Sequence, residues 1–326
     1  MIPPVALSET MREVVRLGER VAATDANVLI TGESGAGKDE LALFIHSSSR
    51  RASGPLVKID CATLPPDLLE AELFGYEAGA FTGATEAKPG RLEAAHHGTM
   101  VLDEITHLSV GAQAKLLRLI EMREFERLGA RRTIKVDARL IALTNVDLED
   151  AVRLGTFRED LFYRLNVVRI RVPPLRERGK DVPQLVRVFL KEFAVRHGRK
   201  IQKITPAALQ LLQDYDFPGN VRELANTIER AVIVSRGEQI DEGDIPETVR
   251  SAVAAGVRGN RRLTLGEVEE QHIKETLAAA GGNKTEAARM LGISRKNLYE
   301  RLARMEETEA GETGKRGKGE KGNRGS

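Results

Sequence analysis

The octapeptide Gly32-Glu33-Ser34-Gly35-Ala36-Gly37-Lys38-Asp39 restricts what this chain can fold into more than any other feature. It follows an aliphatic run, Val28-Leu29-Ile30, and leads into a stretch of helical character from Glu40 to His46. In a strand, glycine-rich turn and helix so ordered, backbone N–H groups curl around phosphates. A lysine neutralises the outer phosphates and the helix N-terminus adds its dipole. The residue after that lysine is commonly Ser or Thr, whose hydroxyl touches Mg2+; here Asp39 takes the position. The spacing assigns Gly32, Glu33, Ser34, Gly35, Ala36, Gly37, Lys38 and Asp39 to a cradle for a nucleoside triphosphate. The competing reading is a glycine-rich turn followed by a chance lysine.

A second element favours the cradle. Met100-Val101-Leu102-Asp103-Glu104 reads as an aliphatic strand ending in two carboxylates. Asp103 is expected to hold Mg2+, usually through water, and Glu104 to polarise the attacking water. An acidic pair at a strand end is commonplace alone; beside a phosphate loop it predicts both binding and hydrolysis of the triphosphate.

The remaining short aliphatic runs are Leu56-Val57-Lys58-Ile59, Leu140-Ile141-Ala142-Leu143 and Val167-Val168-Arg169-Ile170. They have the character of strands buried on both faces of a parallel sheet. Helical segments such as Val110 to Met122 alternate with them, which predicts a doubly wound α/β domain over residues 1–173, closed by Pro173-Pro174. Residues 174–248 read as all-helical, with helix starts at Thr205-Pro206 and Pro218-Gly219-Asn220. Residues 249–262 read as a linker, 263–306 as a further helical unit and 307–326 as a disordered basic tail.

Composition narrows the class. The single cysteine, Cys61, excludes an intrachain disulfide framework and suits a reducing compartment, so a cytoplasmic protein is expected. Cys61 reads as a small packed hydrophobe, and one Cys beside the consecutive His96 and His97 gives no zinc pattern. No apolar run approaches the ~18 residues a membrane span needs, and the N-terminus lacks a secretory pattern. The net charge of +2 divides unevenly: residues 1–257 carry 35 basic and 37 acidic side chains, residues 258–326 carry 15 and 11. A basic end on a faintly acidic body is expected of an appended nucleic-acid-binding module, or of a solvated basic tail.

Within that end, Thr264 with Glu267 reads as a capping box, Asn283 with Glu286 caps a second helix, and Gly292-Ile293 forms a tight turn before Ser294 caps a third. Helix, short glycine-containing turn and helix is the helix-turn-helix arrangement. Ala287, Ala288, Leu291, Ile293, Leu298 and Leu302 would form its core, leaving Arg295, Lys296, Asn297, Tyr299 and Arg301 for base edges and phosphates of double-stranded DNA. The alternative is a three-helix packing module with a basic face.

The hexapeptide Gly79-Ala80-Phe81-Thr82-Gly83-Ala84, within ELFGYEAGAFTGA, strongly resembles the loop that marks sigma-54-dependent transcriptional activators, which are AAA+ ATPases. The similarity runs through GESGAGKD, ALTN (142–145), FREDLFYRLNV (157–167), PPLRER (173–178) and FPGNVREL (217–224), and GGNKTEAARMLGISRKNLYERL resembles the family's Fis-type helix-turn-helix. The resemblance implies an AAA+ parallel-sheet domain, a helical lid and a small all-α DNA-binding domain. It implies ATP and Mg2+ as cofactors and hydrolysis that remodels the closed sigma-54 RNA polymerase holoenzyme from an upstream enhancer. Asn145 would sense the γ-phosphate, Arg158 and Arg164 would reach the neighbouring subunit's ATP, and Arg222 would contact nucleotide from the lid. Gly79, Ala80, Phe81, Thr82, Gly83 and Ala84 would meet sigma-54 as a flexible loop. A hexameric ring with dimeric DNA-binding units follows from the same resemblance.

The chain departs from the pattern at four positions. Asp39 replaces a usual Glu, His97 a usual Gly and Phe217 a usual Trp. Asp60 replaces a common Asn that restrains the catalytic Glu, so a carboxylate is expected to face Glu104. The ATPase pattern starts essentially at Ile2, which predicts control in trans or a truncated product in place of an attached sensor. The alternatives in function are an ATP-responsive DNA-binding regulator that does not act through sigma-54, and an AAA+ nucleic-acid remodeller.

Overall fold

The computed structural model describes residues 4–256, Ile273, Thr276, 284–293, Asn297, Leu298 and Arg301. The chain forms two compact units, divided between Gly259 and Asn260. The first begins with helix α1 (Glu9–Ala22), capped by Ser8 Oγ, which accepts from Met11 N. Five parallel strands follow: β1 (Val28–Thr31), β2 (Leu56–Asp60), β3 (Thr99–Asp103), β4 (Arg139–Thr144) and β5 (Val168–Arg171). Their spatial order is β2-β3-β4-β1-β5. The register pairs Ile30 with Leu143 on one side of β1 and with Ile170 on the other.

Side-chain alternation explains why these strands are aliphatic on both faces. Leu29, Met100, Leu102 and Ala142 pack against helices α3 (Pro66–Phe74), α4 (Val110–Met122) and α6 (Glu159–Leu165). Val28, Ile30, Val101, Ile141 and Leu143 face α1 and α2 (Lys38–Ser47). A short helix, α5 (Leu148–Arg153), follows β4. The predicted doubly wound α/β class is what is found. Strand β5 lies one residue beyond the expected Val167–Ile170, because Arg171 extends the pairing to Thr31.

After Pro174 the chain builds its second layer of helices. These are α7 (Val182–Arg196), α8 (Pro206–Asp214), α9 (Asn220–Val234) and α10 (Glu247–Ala254), around Val186, Phe217, Leu224 and Ile228. The two helix starts read from Thr205-Pro206 and Pro218-Gly219-Asn220 are present, and Thr205 Oγ1 accepts from Ala208 N at 3.2 Å. Two expectations need correction. The region is not all-helical, because Lys203–Ile204 pairs with Gln239–Ile240. The linker does not begin at residue 249: α10 runs through to Ala254, with Val249 buried in the lid core.

In the second unit, α11 (Lys284–Met290) is followed by Gly292 in a left-handed turn (φ 67°), and Ile273, Ala288 and Leu298 form a small core with Leu291 and Ile293 against it. Asn297 and Arg301 are joined by a 3.0 Å bond from Arg301 Nε to Asn297 Oδ1. Arg295, Lys296 and Tyr299, the other expected DNA contacts, lie outside the described residues, as do the expected linker's end, the core position Leu302 and the tail. Among the described residues no helix is long and apolar enough to cross a membrane.

Candidate nucleotide site

The octapeptide leaves β1 at the carboxyl edge of the sheet and opens α2, with β3 separated from β1 by β4. In a parallel sheet this edge is where ligands bind. An open cleft of about 240 Å³ lies here, lined by Ser34, Lys38, Asp103 and Glu104 from the sheet domain and by Phe189 and Arg222 from the lid. The turn fits tightly under the lid. Gly35 has φ 72°, and a Cβ there would stand 2.5 Å from the Gly219 carbonyl oxygen, so glycine is required for both conformation and space. Val221 N–H in turn donates to the Gly35 carbonyl at 3.0 Å.

Lys38 is almost wholly buried. Its Nζ donates to the carbonyls of Gly32 (2.8 Å) and Glu33 (3.3 Å) and lies 3.9 Å from Glu104 Oε1. Burial lowers its pKa, opposed by the charges of Glu104 and Asp103. Glu104 follows β3 in a left-handed conformation (φ 51°), which a non-glycine residue adopts at a cost, and its Oε2 accepts from Asn145 N at 3.3 Å. Asn145 therefore reaches the site through its backbone. Arg222 crosses from the lid, and its Nη1 donates to Ser34 Oγ at 3.0 Å. Asp103 Oδ2 and Asp39 Oδ1 face the same ammonium, Lys58 Nζ, at 2.8 and 2.5 Å.

Two carboxylates beside a phosphate cradle are hard oxygen donors that suit Mg2+, which is commonly held by one or two carboxylates plus substrate phosphates. Among the described residues no group of three or more His, Cys, Asp or Glu side chains could hold a metal by itself. The residues thus fit a cation shared with phosphate oxygens, with Asp103 and Asp39 as its protein ligands.

Several expected residues are placed differently. The Glu33 side chain turns to the lid connection, where Arg176 Nη1 and Nη2 donate at 2.8 and 2.6 Å and Asn220 Nδ2 at 3.0 Å. The Arg176 hydrogen bonds pull its carboxyl down to about 2. Asp60 Oδ1 accepts from Ala62 N at 2.9 Å, so this oxygen also closes its own turn. Arg158 and Arg164, which the resemblance directs to a neighbouring subunit's ATP, lie outside the lining of their own cleft. Arg158 holds Asp160 at 3.0 and 2.6 Å, and Arg164 Nε holds Glu121 at 3.0 Å.

The Gly79–Ala84 hexapeptide is a closed turn. Gly79 N donates to the Ala84 carbonyl at 2.8 Å, and Ala84 N donates to the Phe81 carbonyl at 3.0 Å. Ala84 is buried, whereas Phe81 is 42% exposed with its ring edge-on to Tyr76 at 4.9 Å between centroids. The loop expected to be flexible is thus closed by its own backbone, and only part of it faces solvent. Sequence reasoning missed Lys58, Phe189, Arg176, Asn220 and Arg178, whose buried guanidinium donates to the Ala36 carbonyl at 2.5 Å. A lysine within the aliphatic run Leu56-Val57-Lys58-Ile59 was the visible sign of the first.

Residues 5–171 match the sigma-54 interaction domain, residues 176–261 the AAA+ ATPase lid domain, and residues 264–305 the bacterial regulatory protein Fis family. The chain belongs to the sigma-54-dependent transcriptional regulators. It is 48% identical over 303 residues to the regulatory protein AtoC of Escherichia coli (strain K12), covering 90% of this chain and 66% of that protein. Identity to the transcriptional regulatory protein ZraR of Klebsiella oxytoca is also 48%, over 299 residues, covering 91% of this chain and 68% of ZraR. The chain thus spans about two thirds of the length of these relatives. The crystal structure of NtrX from Brucella abortus in complex with ATP superposes with a TM-score of 0.72 at 36% identity, covering 93% of this chain and 69% of NtrX. For a sigma-54-dependent regulator the architecture accords with these matches: a P-loop parallel-sheet domain, a helical lid and a Fis-type unit.

Proposed function

We propose that this regulator binds ATP with Mg2+ in the cleft between sheet and lid and hydrolyses it, and that hydrolysis remodels the closed sigma-54 polymerase complex. The observation that supports this most is the convergence of Lys38, Asp103, Glu104 and Arg222 on one cleft. Lys38 and the backbone of residues 32–37 bind and orient the phosphates; Arg222 adds a cation from the lid. Asp103 and Asp39 hold the metal, which when bound offsets phosphate charge. Glu104, fixed by Lys38 and by Asn145 N–H, orients and polarises the attacking water. The apolar faces of Phe189, Val221 and Ala225 close the side of the cleft next to the lid, where the base would lie.

Arg158, the residue before α6, and Arg164, in its last turn, stand outside their own cleft, paired with Asp160 and Glu121. They are therefore assigned to the ATP of a neighbouring copy in a ring, where a guanidinium offsets charge on the transferring phosphoryl group. Phe81 and Thr82 on the closed turn are assigned to sigma-54, and the Fis-type unit, through Asn297, Arg301 and their neighbours Arg295, Lys296 and Tyr299, to enhancer DNA as a dimer. Steady-state hydrolysis tests the core of this reading. Glu104→Gln is expected to bind a fluorescent ATP analogue as the parent does while losing roughly 10²–10⁴-fold in rate. Hydrolysis at the parent rate would contradict it.

A further inference from the structure

Lys58 has no part in the reaction outlined above, yet it touches both carboxylates assigned to the metal. It sits on β2, the edge strand of the sheet, and its side chain is 42% exposed. Its Nζ bridges Asp39 Oδ1 at 2.5 Å and Asp103 Oδ2 at 2.8 Å. The two carboxylates come from different elements, one from the first turn of α2 and one from the end of β3. Together with Glu104 they would repel one another without a shared cation. An ammonium at hydrogen-bond distance from both offsets that repulsion as a metal does, with one charge instead of two. A lysine ammonium is charged throughout the neutral range.

A surface lysine paired with one carboxylate would be unremarkable, since such pairs contribute little. Lys58 differs because its partners are the two oxygens a divalent cation needs. An ammonium 2.8 Å from Asp103 Oδ2 draws on the same negative charge that a divalent cation would use, so each weakens the other's hold.

We propose that Lys58 is a tethered counterion of the metal site, holding Asp39 and Asp103 in place of a divalent cation and releasing Asp103 when the cation is seated. Metal binding at this site is then an exchange, and Lys58 sets how much divalent cation the chain needs. The proposal rests on the cleft being a nucleotide site, and the experiment separates the two. Binding of Mn2+ to the full chain saturated with ADP is followed by electron paramagnetic resonance for the parent, Lys58→Met and Lys58→Arg. Binding of a fluorescent ADP analogue in EDTA is measured alongside.

Removing the charge in Lys58→Met is expected to tighten Mn2+ binding about tenfold, the scale of losing one unit-charge competitor in a half-hydrated site. Lys58→Arg, which keeps the charge, is expected to bind Mn2+ as the parent does. Analogue binding in EDTA is expected to be no tighter in Lys58→Met than in the parent, which shows that the gain belongs to the metal. Mn2+ affinity unchanged or weakened in Lys58→Met overturns the counterion role, as does equal tightening in Lys58→Arg. A parent chain that binds no ADP analogue overturns the nucleotide reading itself.

Discussion

Asn220 joins the lid to the phosphate loop, and replacing it should cost more than any other single change at this junction. Its side chain is fully buried and its backbone is left-handed, with φ 55°. Its Oδ1 accepts from Leu175 N at 2.8 Å, and its Nδ2 donates to Glu33 Oε2 at 3.0 Å and the Ser34 carbonyl at 3.1 Å. In Asn220→Ala the buried Leu175 N–H loses its acceptor, at about 1–3 kcal/mol, and the bonds to Glu33 and Ser34 go with it. A Cβ-bearing residue without an amide in this conformation adds about 1–2 kcal/mol. The sum is about 2–5 kcal/mol. Asn220→Gly loses the same bonds but not the steric term; after its larger unfolded-state entropy it should be destabilised by about 1 kcal/mol less than alanine. Urea denaturation of both variants, with binding of a fluorescent ADP analogue, measures the two terms separately. If alanine lies within about 1 kcal/mol of the parent, or glycine is the less stable of the two, the junction does not work as described.

Three further outcomes follow from the same contacts. Glu33 has its folded pKa depressed to about 2, so its contribution to stability is full above its unfolded value and is lost as pH falls through the folded one. Between about pH 5 and pH 3 the urea midpoint of the parent should therefore fall more steeply than that of Glu33→Gln, and parallel curves would remove Glu33 from the junction. Cys61 is 1% exposed and burial pushes its thiol up to about 12, so iodoacetamide at pH 8 should label the urea-unfolded chain and leave the native chain unlabelled over the same interval. Mixing Arg164→Ala with Lys38→Ala chains should restore part of the hydrolysis that each lacks alone, because in the proposed ring every interface where a Lys38→Ala chain offers its Arg164 to the Lys38 site of an Arg164→Ala chain is intact; no restoration would place Arg164 outside a neighbour's site.

The sheet was legible because its inner strands are unbroken aliphatic runs, and Lys38, Asp103, Glu104 and Arg222 because local motifs carry them. What escaped was whatever depends on a distant partner. Lys58 is an ordinary edge-strand lysine until β2 pairs beside β3 and brings Asp103 within reach. Glu33 reads as part of a phosphate cradle, and only the approach of Arg176, far along the chain, turns it to the lid. The bond from Ala62 N to Asp60 Oδ1 is local, of a kind a short carboxylate makes whatever its place in a motif, and the motif did not announce it. The helix over 247–254 has strong formers in Glu247, Arg250, Ala252 and Ala254, but eight residues are too few for propensity alone, and burial of Val249 on the lid maintains it.

In the proposed mechanism hydrolysis in this cleft is transmitted through the Gly79–Ala84 turn to sigma-54 polymerase. The most direct test is open-complex formation on a supercoiled template with sigma-54 holoenzyme, scored for the parent chain, Glu104→Gln and Thr82→Ala. The parent is expected to form open complexes with ATP and none with a non-hydrolysable analogue. The same mechanism predicts none from Glu104→Gln, and none from Thr82→Ala even though that variant hydrolyses ATP. Open complexes at the parent level from either variant, or from the parent with the analogue, would contradict it.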